Sequence, residues 1–211
     1  MKRRIYSVPT VILLLALAIF AQQTQTAADL LTLDSIFTFR TRSLGPVQWQ
    51  KEGSGYLALE PSAAKADVVE IIRYDTVSGE RTIKVGIDKL TPQGAAPIAI
   101  EDFVLSPDEK KILLFTKSER VWRSNTRGDY WVLDRTSGAL RQLGGRDAKP
   151  STLMFAKFSP DGGRVAYVRE NNLYVEDLPS GAITPLTTDG SRTLINGTFD
   201  WVYEEELMNY Y

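Results

Sequence analysis

Three consecutive carboxylates, Glu204, Glu205 and Glu206, follow directly on Asp200-Trp201-Val202-Tyr203. A charged run ordinarily makes a solvated face. Here Trp201 and Tyr203 favour burial, which predicts a strand-like segment holding the acids at the mouth of a packed core. Like charges that close raise each other's pKa unless a cation sits between them. Carboxylates gathered against an aromatic floor are therefore a candidate receptor for a cation, either a metal or an ammonium group. The chain has no Cys and no His. Disulfides, thiolate sites and imidazole metal sites are excluded, and no Ser-His-Asp or Cys-His triad can be assembled from this chain alone.

The elements that must position these acids read as short strands. Phe158-Ser159-Pro160-Asp161-Gly162-Gly163 is a turn, and Arg164 to Arg169 alternates as a strand. Asn171-Asn172 marks the next turn, Leu173 to Leu178 the next strand, and Pro179-Ser180-Gly181 closes it before Ala182 to Thr187. The same phrase occurs earlier: Leu105-Ser106-Pro107-Asp108, strands at Ile112–Thr116 and Asp129–Asp134, then Thr136-Ser137-Gly138 and Ala139–Leu143. A weaker copy runs from Val47-Gln48-Trp49 through Tyr56–Leu59 to Ile71–Asp75 and Ser78-Gly79. A repeat of roughly 40–50 residues with four strands is the pattern of a β-propeller blade. The expected fold is all-β: about three to three and a half four-stranded blades of a larger propeller, from about Leu30 onward. Propellers close with roughly four to eight blades, so the chain is expected to be part of a longer protein.

The composition is that of a globular domain, with 211 residues, 43% hydrophobic and 24% charged, and a formal net charge of −1. Near-neutral charge argues against nucleic acid as a partner. At the N-terminus, Lys2, Arg3 and Arg4 precede the apolar run Val11–Ala21, which is short for a membrane span. Residues 1–28 read as an export signal with a polar spacer, the alternative being an uncleaved anchor, and residues 29–211 as the propeller part. Either reading places the mature part in the periplasm or outside the cell. Asn196-Gly197-Thr198 is a glycosylation sequon that has meaning only in a eukaryotic secretory pathway. Arg127-Gly128-Asp129 is assigned no adhesive role.

Taken together, the export signal, the Ser-Pro-Asp blades and Asn196-Gly197-Thr198-Phe199-Asp200-Trp201-Val202-Tyr203-Glu204-Glu205-Glu206 resemble the N-terminal propeller region of dipeptidyl peptidase IV, in the prolyl oligopeptidase clan of serine exopeptidases. The resemblance spans roughly residues 30–207 and is sharpest from about 105. It implies that Glu205 and Glu206 bind the α-ammonium of peptide substrates. It also implies that Arg123, in Val121-Trp122-Arg123-Ser124, contacts a substrate carbonyl. Glu204, Trp201 and Tyr203 are expected to support the segment, the two aromatics by core packing. The nucleophile and its partners would lie in a C-terminal α/β-hydrolase domain, so this chain holds no catalytic residue and is expected to be inactive alone. No metal and no cofactor is implied; a homodimer of the full-length protein is a further expectation. Two rivals remain: a related peptidase of different register, and a non-enzymatic periplasmic propeller that binds protein partners.

Overall fold

The phrase Asp-x-x-Ser-Gly occurs three times, and each copy closes a hairpin by the same chemistry. The Asp75 carboxylate accepts the N–H groups of Val77 and Ser78 and the Ser78 hydroxyl. Asp134 accepts the N–H groups of Thr136 and Ser137, and Asp177 the N–H and hydroxyl of Ser180. Each turn ends on a glycine in the left-handed region, at φ +71° for Gly79, +77° for Gly138 and +74° for Gly181, where a side chain would be strained. The Ser-Pro-Asp turns form a second repeated device. Ser106 and Ser159 donate to Asp108 and Asp161, and they accept the N–H groups of Lys111 and Arg164.

In the computed structural model the described residues are 32–39, 45, 47–146 and 148–207. The expected export segment, residues 1–28, lies outside them. Among the described residues no helix is long and apolar enough to cross a membrane. Two compact units are distinguished, residues 1–43 and 44–211. In the first, α1 (Leu33–Thr38) stands where strands were expected from about Leu30, because Thr32 and Ser35 form a reciprocal capping box.

The strands of the second unit all pair antiparallel. Strands β1 (Val47–Trp49), β2 (Gly55–Pro61), β3 (Val69–Asp75) and β4 (Arg81–Val85) form one four-stranded sheet. Strands β5 (Ile100–Leu105), β6 (Lys111–Arg120), β7 (Asn125–Asp134) and β8 (Leu140–Gln142) form a second blade. A third contains β9 (Leu153–Phe158), β10 (Arg164–Arg169), β11 (Asn172–Asp177) and β12 (Ile183–Pro185). This is the expected partial propeller, with three blades described.

The middle blade is buried on both faces, and the period-two alternation of β6 shows how. Ile112 and Leu114 pack toward the first blade with Leu57, Ile71, Phe103 and Leu133. Leu113 packs toward the third with Tyr130, Val132, Val165 and Tyr167. Gln48 on β1 adds a polar clasp, its amide donating to the Phe103 carbonyl and accepting the Leu105 N–H.

Two features depart from the simple blade pattern. Strands β6 and β7 run ten residues each, well beyond the expected Ile112–Thr116 and Asp129–Asp134. Their register shifts between Thr116 and Glu119, so the distal halves leave the blade as a two-stranded hairpin with its tip at residues 121–124. Blades two and three are also not separate sheets. Arg127 pairs with Met154 and Gly128 with Leu153, joining both into one eight-stranded ladder. Only glycine fits at 128, where a Cβ would lie 2.7 Å from the Thr116 carbonyl oxygen. Asp129 beside it is buried and accepts the Ser151 N–H, so the Arg-Gly-Asp tripeptide is part of the ladder.

These turns make stability acid-labile. Hydrogen bonds from Ser78 hold the Asp75 carboxyl down at about 2. Asp134 and Asp177 are lowered by bonds from Ser137 and Ser180, and Asp108 and Asp161 by the hydroxyls of Ser106 and Ser159. Aspartates of an unfolded chain titrate near about 3.9, so the stabilisation is complete above about pH 4 and is lost as pH falls toward about 2. Thermal melts followed by circular dichroism from pH 6 to pH 2 should show a falling Tm confined to the acid end. Replacing Asp75, Asp134 and Asp177 together by Asn should flatten that fall; an unaltered acid slope would mean the turns do not set it.

Candidate functional site

The acids reach their position through a loop hung on the turn between β10 and β11. The side-chain oxygen Oδ1 of Asn172 accepts from the Thr187 hydroxyl and the Gly190 N–H, and the side-chain amide of Asn171 donates to the Ser191 carbonyl. The Asn196 N–H returns to the Asn171 carbonyl, and its side chain donates to Asp189. Asp200 then starts a turn. Its carboxylate accepts the N–H groups of Val202 and Tyr203, and its carbonyl accepts the Glu204 N–H.

The acid motif is consequently a single wide helical turn, Val202–Leu207, and not the strand-like run that its composition suggested. Asp200 is the physical reason, because a capping carboxylate diverts the chain from extension. The change of winding also overturns the expected burial. In a strand, Trp201, Tyr203 and Glu205 would share a face. In the turn, Trp201 is 45% and Tyr203 54% exposed, and Glu205 is the buried residue. Neither aromatic packs in the core. Trp201 carries the Arg123 guanidinium 5.7 Å from its ring centroid, and Tyr203 leans on Phe199.

Winding sends the three carboxylates to different partners. One oxygen of Glu205 accepts the backbone N–H of Arg123 and that of Ser124, the latter at 3.0 Å. Its other oxygen lies 3.3 Å from Arg123 Nε. Glu206 meets Arg123 Nη1. The Glu205 side chain is 4% exposed, that of Glu206 42% and that of Arg123 63%. Both oxygens of Glu204 are shut off from solvent, with the Thr126 hydroxyl facing them from β7. Of the residues singled out in the sequence, Glu205, Glu206, Arg123 and Trp201 come together; Glu204 turns aside and Tyr203 stands apart. Among the described residues no group of three candidate ligands is arranged to hold a metal ion. What the pair does hold is a guanidinium.

Sequence reasoning missed Ser124, Thr126 and Asp200. Asp200 was legible as a cap ahead of a helical turn; Thr126 carried no signal, since its place depends on the bulge in β6.

The profile of the family described as "Dipeptidyl peptidase IV (DPP IV) N-terminal region" matches residues 106–211, half of the chain. The chain belongs to this family. Among relatives, a probable dipeptidyl-aminopeptidase B of Neosartorya fischeri is 40% identical over 104 residues, 49% of this chain and 11% of the relative. The dipeptidyl aminopeptidase B of Saccharomyces cerevisiae is 38% identical over 111 residues, covering 52% of this chain and 13% of the relative. The crystal structure of Porphyromonas gingivalis dipeptidyl peptidase 4 superposes with a TM-score of 0.67 at 28% identity, covering 82% of this chain and 23% of that one. This dipeptidyl peptidase IV-like N-terminal region thus spans a small part of the length of each.

Within this cluster, Glu204 is the electrostatically costly member. Burial pushes its carboxyl up, the Thr126 hydroxyl partly opposes this, and the Glu205 charge adds to the rise. An acid whose pKa is raised on folding destabilises the fold above that pKa and costs nothing below its unfolded value. Glu204→Gln should therefore raise Tm at pH 7, and the gain should vanish below about pH 4. A lower Tm at pH 7, read by calorimetry, would mean that the ionised carboxylate itself is bonded.

Proposed function

We propose that this region selects substrates for an exported dipeptidyl peptidase IV-like serine peptidase, with Glu205 and Glu206 receiving the α-ammonium of the peptide. One observation carries the reading: the pair already binds a cationic N–H donor, the Arg123 guanidinium. A peptide N-terminus, with a pKa of about 8, presents the same chemistry at neutral pH. Each carboxylate can accept a charge-assisted hydrogen bond from it. At about 4 Å and an effective dielectric of about 20, one such pair contributes roughly 4 kcal/mol before desolvation.

The two acids divide the work. Glu205 has one oxygen committed to the hairpin tip, so it builds the site as well as serving it. Glu206 is the open carboxylate. An internal peptide bond offers no charge to either, so the site rejects endopeptidase register. Fixing the amine fixes how far the chain reaches and presents the bond after the second residue. The preference for Pro or Ala at that second residue rests on family resemblance. Arg123 supplies a donor for a substrate carbonyl. With no His in the chain, the catalytic triad must be completed by residues outside it, in an α/β-hydrolase domain. The positive and apolar N-terminal run supports export.

The test is the ratio of kcat/KM for a free versus an N-acetylated Gly-Pro-anilide in the intact peptidase. Glu206→Ala should lower kcat/KM for the free substrate by roughly ten- to hundred-fold, the equivalent of about 1.5–3 kcal/mol for a hydrogen bond to a charged group on this partly exposed carboxylate. The acetylated substrate should be poor for the wild type and little changed in the variant. Glu205→Ala should show the same loss plus a lower Tm, because it also unfastens residues 123–124. An unchanged ratio in both variants would sink the assignment.

A further inference from the structure

The first and second blades share no strand ladder. A cavity of about 290 Å³ opens between them, at the end of β6 and β7 opposite the tip that meets the acid turn. Its floor is apolar, with Val85 and Leu133 buried there. Its rim is cationic. Lys84 comes from β4 and Lys89 from the short turn Ile87–Leu90 that follows, while Lys110 and Arg135 come from the second blade. The Lys89 ammonium reaches across the junction, since a Cβ at Gly138 would lie 3.1 Å from it. Two carboxylates share the rim, Glu109 and Asp134, and both are committed to backbone. Glu109 accepts the Lys51 N–H at 2.7 Å, and Asp134 accepts those of Thr136 and Ser137. Arg135 places Nη1 on the Glu109 carbonyl and keeps the rest of its fork. Lys110 has only a loose exposed pair, 3.8 Å from Asp108. Among the described residues Lys84 and Lys89 have neither an ion pair nor a side-chain hydrogen bond. The junction between the second and third blades treats its cations differently. There Lys111 donates to the Gly162 carbonyl at 3.1 Å, and Arg141 lies 3.4 Å from the buried Glu176.

We propose that the cleft between the first two blades is an anion site for a doubly charged phosphate group, either inorganic phosphate or a terminal phosphate monoester. Four cations against two carboxylates leave an excess of two positive charges on the rim. A monoester phosphate, with a charge of about −1.5 to −2 at neutral pH, neutralises that excess. A phosphodiester or a carboxylate brings one charge and leaves half of it. The apolar floor lowers the local dielectric and focuses the field of the rim into the cleft. Lysine ammonium groups on flexible stems adapt to a tetrahedral oxyanion, and the free edge of the Arg135 fork can take two of its oxygens. The lysines 84 and 89 belong to one blade and Arg135 to the other, so a bound phosphate bridges two sheets that no ladder joins. The site is separate from the acid turn and does not depend on the amine-binding reading.

Isothermal titration calorimetry of the intact peptidase at constant ionic strength tests this, with inorganic phosphate, glycerol 3-phosphate and dimethyl phosphate as probes. Inorganic phosphate should bind with a Kd of about 1 mM, and dimethyl phosphate about tenfold more weakly or less. Glycerol 3-phosphate separates the two sources. Affinity within about threefold of phosphate means that the cleft admits a monoester, and a loss of about tenfold means that it takes the free anion; the site stands in both cases. Lys84 and Lys89 are exposed, so Gln at both positions leaves the core untouched. The double variant Lys84→Gln/Lys89→Gln should weaken phosphate about tenfold, with kcat/KM for Gly-Pro-anilide unchanged. Lys89→Arg, which keeps the charge, should retain the affinity. Lys149→Gln, whose ammonium pairs with Glu170 of the third blade, should leave it unaltered. Absence of phosphate binding overturns the site. So does dimethyl phosphate binding as well as phosphate, or a double variant that binds phosphate like the wild type.

Discussion

The site depends on a single carboxylate oxygen. One oxygen of Glu205 gathers the N–H groups of Arg123 and Ser124 across sequence separations of 82 and 81 residues. Those two N–H groups belong to the hairpin tip between β6 and β7, where the strand ladder has stopped serving them. The buried carboxylate in turn gains donors that offset its desolvation. Each side satisfies the other's unmet polar groups, and the guanidinium of the same arginine is thereby brought over both acids. Without this contact the hairpin tip and the acid turn would be two unrelated surface features.

The precision of that contact comes from the sheet. The two halves of the site sit on different blades, and blades in a propeller normally meet only through side-chain packing. Here the pairing of Gly128 with Leu153 carries the hydrogen-bonded ladder from one blade to the next. Arg123 rides on β6–β7, and the acid turn hangs from the β10–β11 turn, so both are referred to one continuous backbone network. The buried alternation of β6 holds the network from both sides. Rigid elements place side chains to within the tolerances that recognition of a small cation needs.

Much of this was readable from the chain. Turn residues announced themselves, since Asp-x-x-Ser-Gly and Ser-Pro-Asp act through local hydrogen bonds that sequence spacing controls, and the Arg164–Arg169 strand coincides with β10. Glu205, Glu206 and Arg123, singled out from the motifs that contain them, lie together in the fold. What escaped was non-local. Strands β4, β5 and β9 carry no strong alternating signal, and their pairing is decided by neighbours. The length of the β6–β7 hairpin depends on a bulge that no turn residue marks. The burial of Glu205 in place of Trp201 and Tyr203 follows from a capped turn, and hydrophobicity alone points the other way.

The same contacts imply an order of assembly. The ladder between the second and third blades joins segments close in sequence, so its closure costs little chain entropy. The Glu205 contact closes a far longer loop and yields only a few hydrogen bonds in return. During vectorial synthesis the hairpin and both blades are complete before the acid turn leaves the ribosome. The acid turn is therefore the last part of this region to settle, fitted onto a surface that has already set.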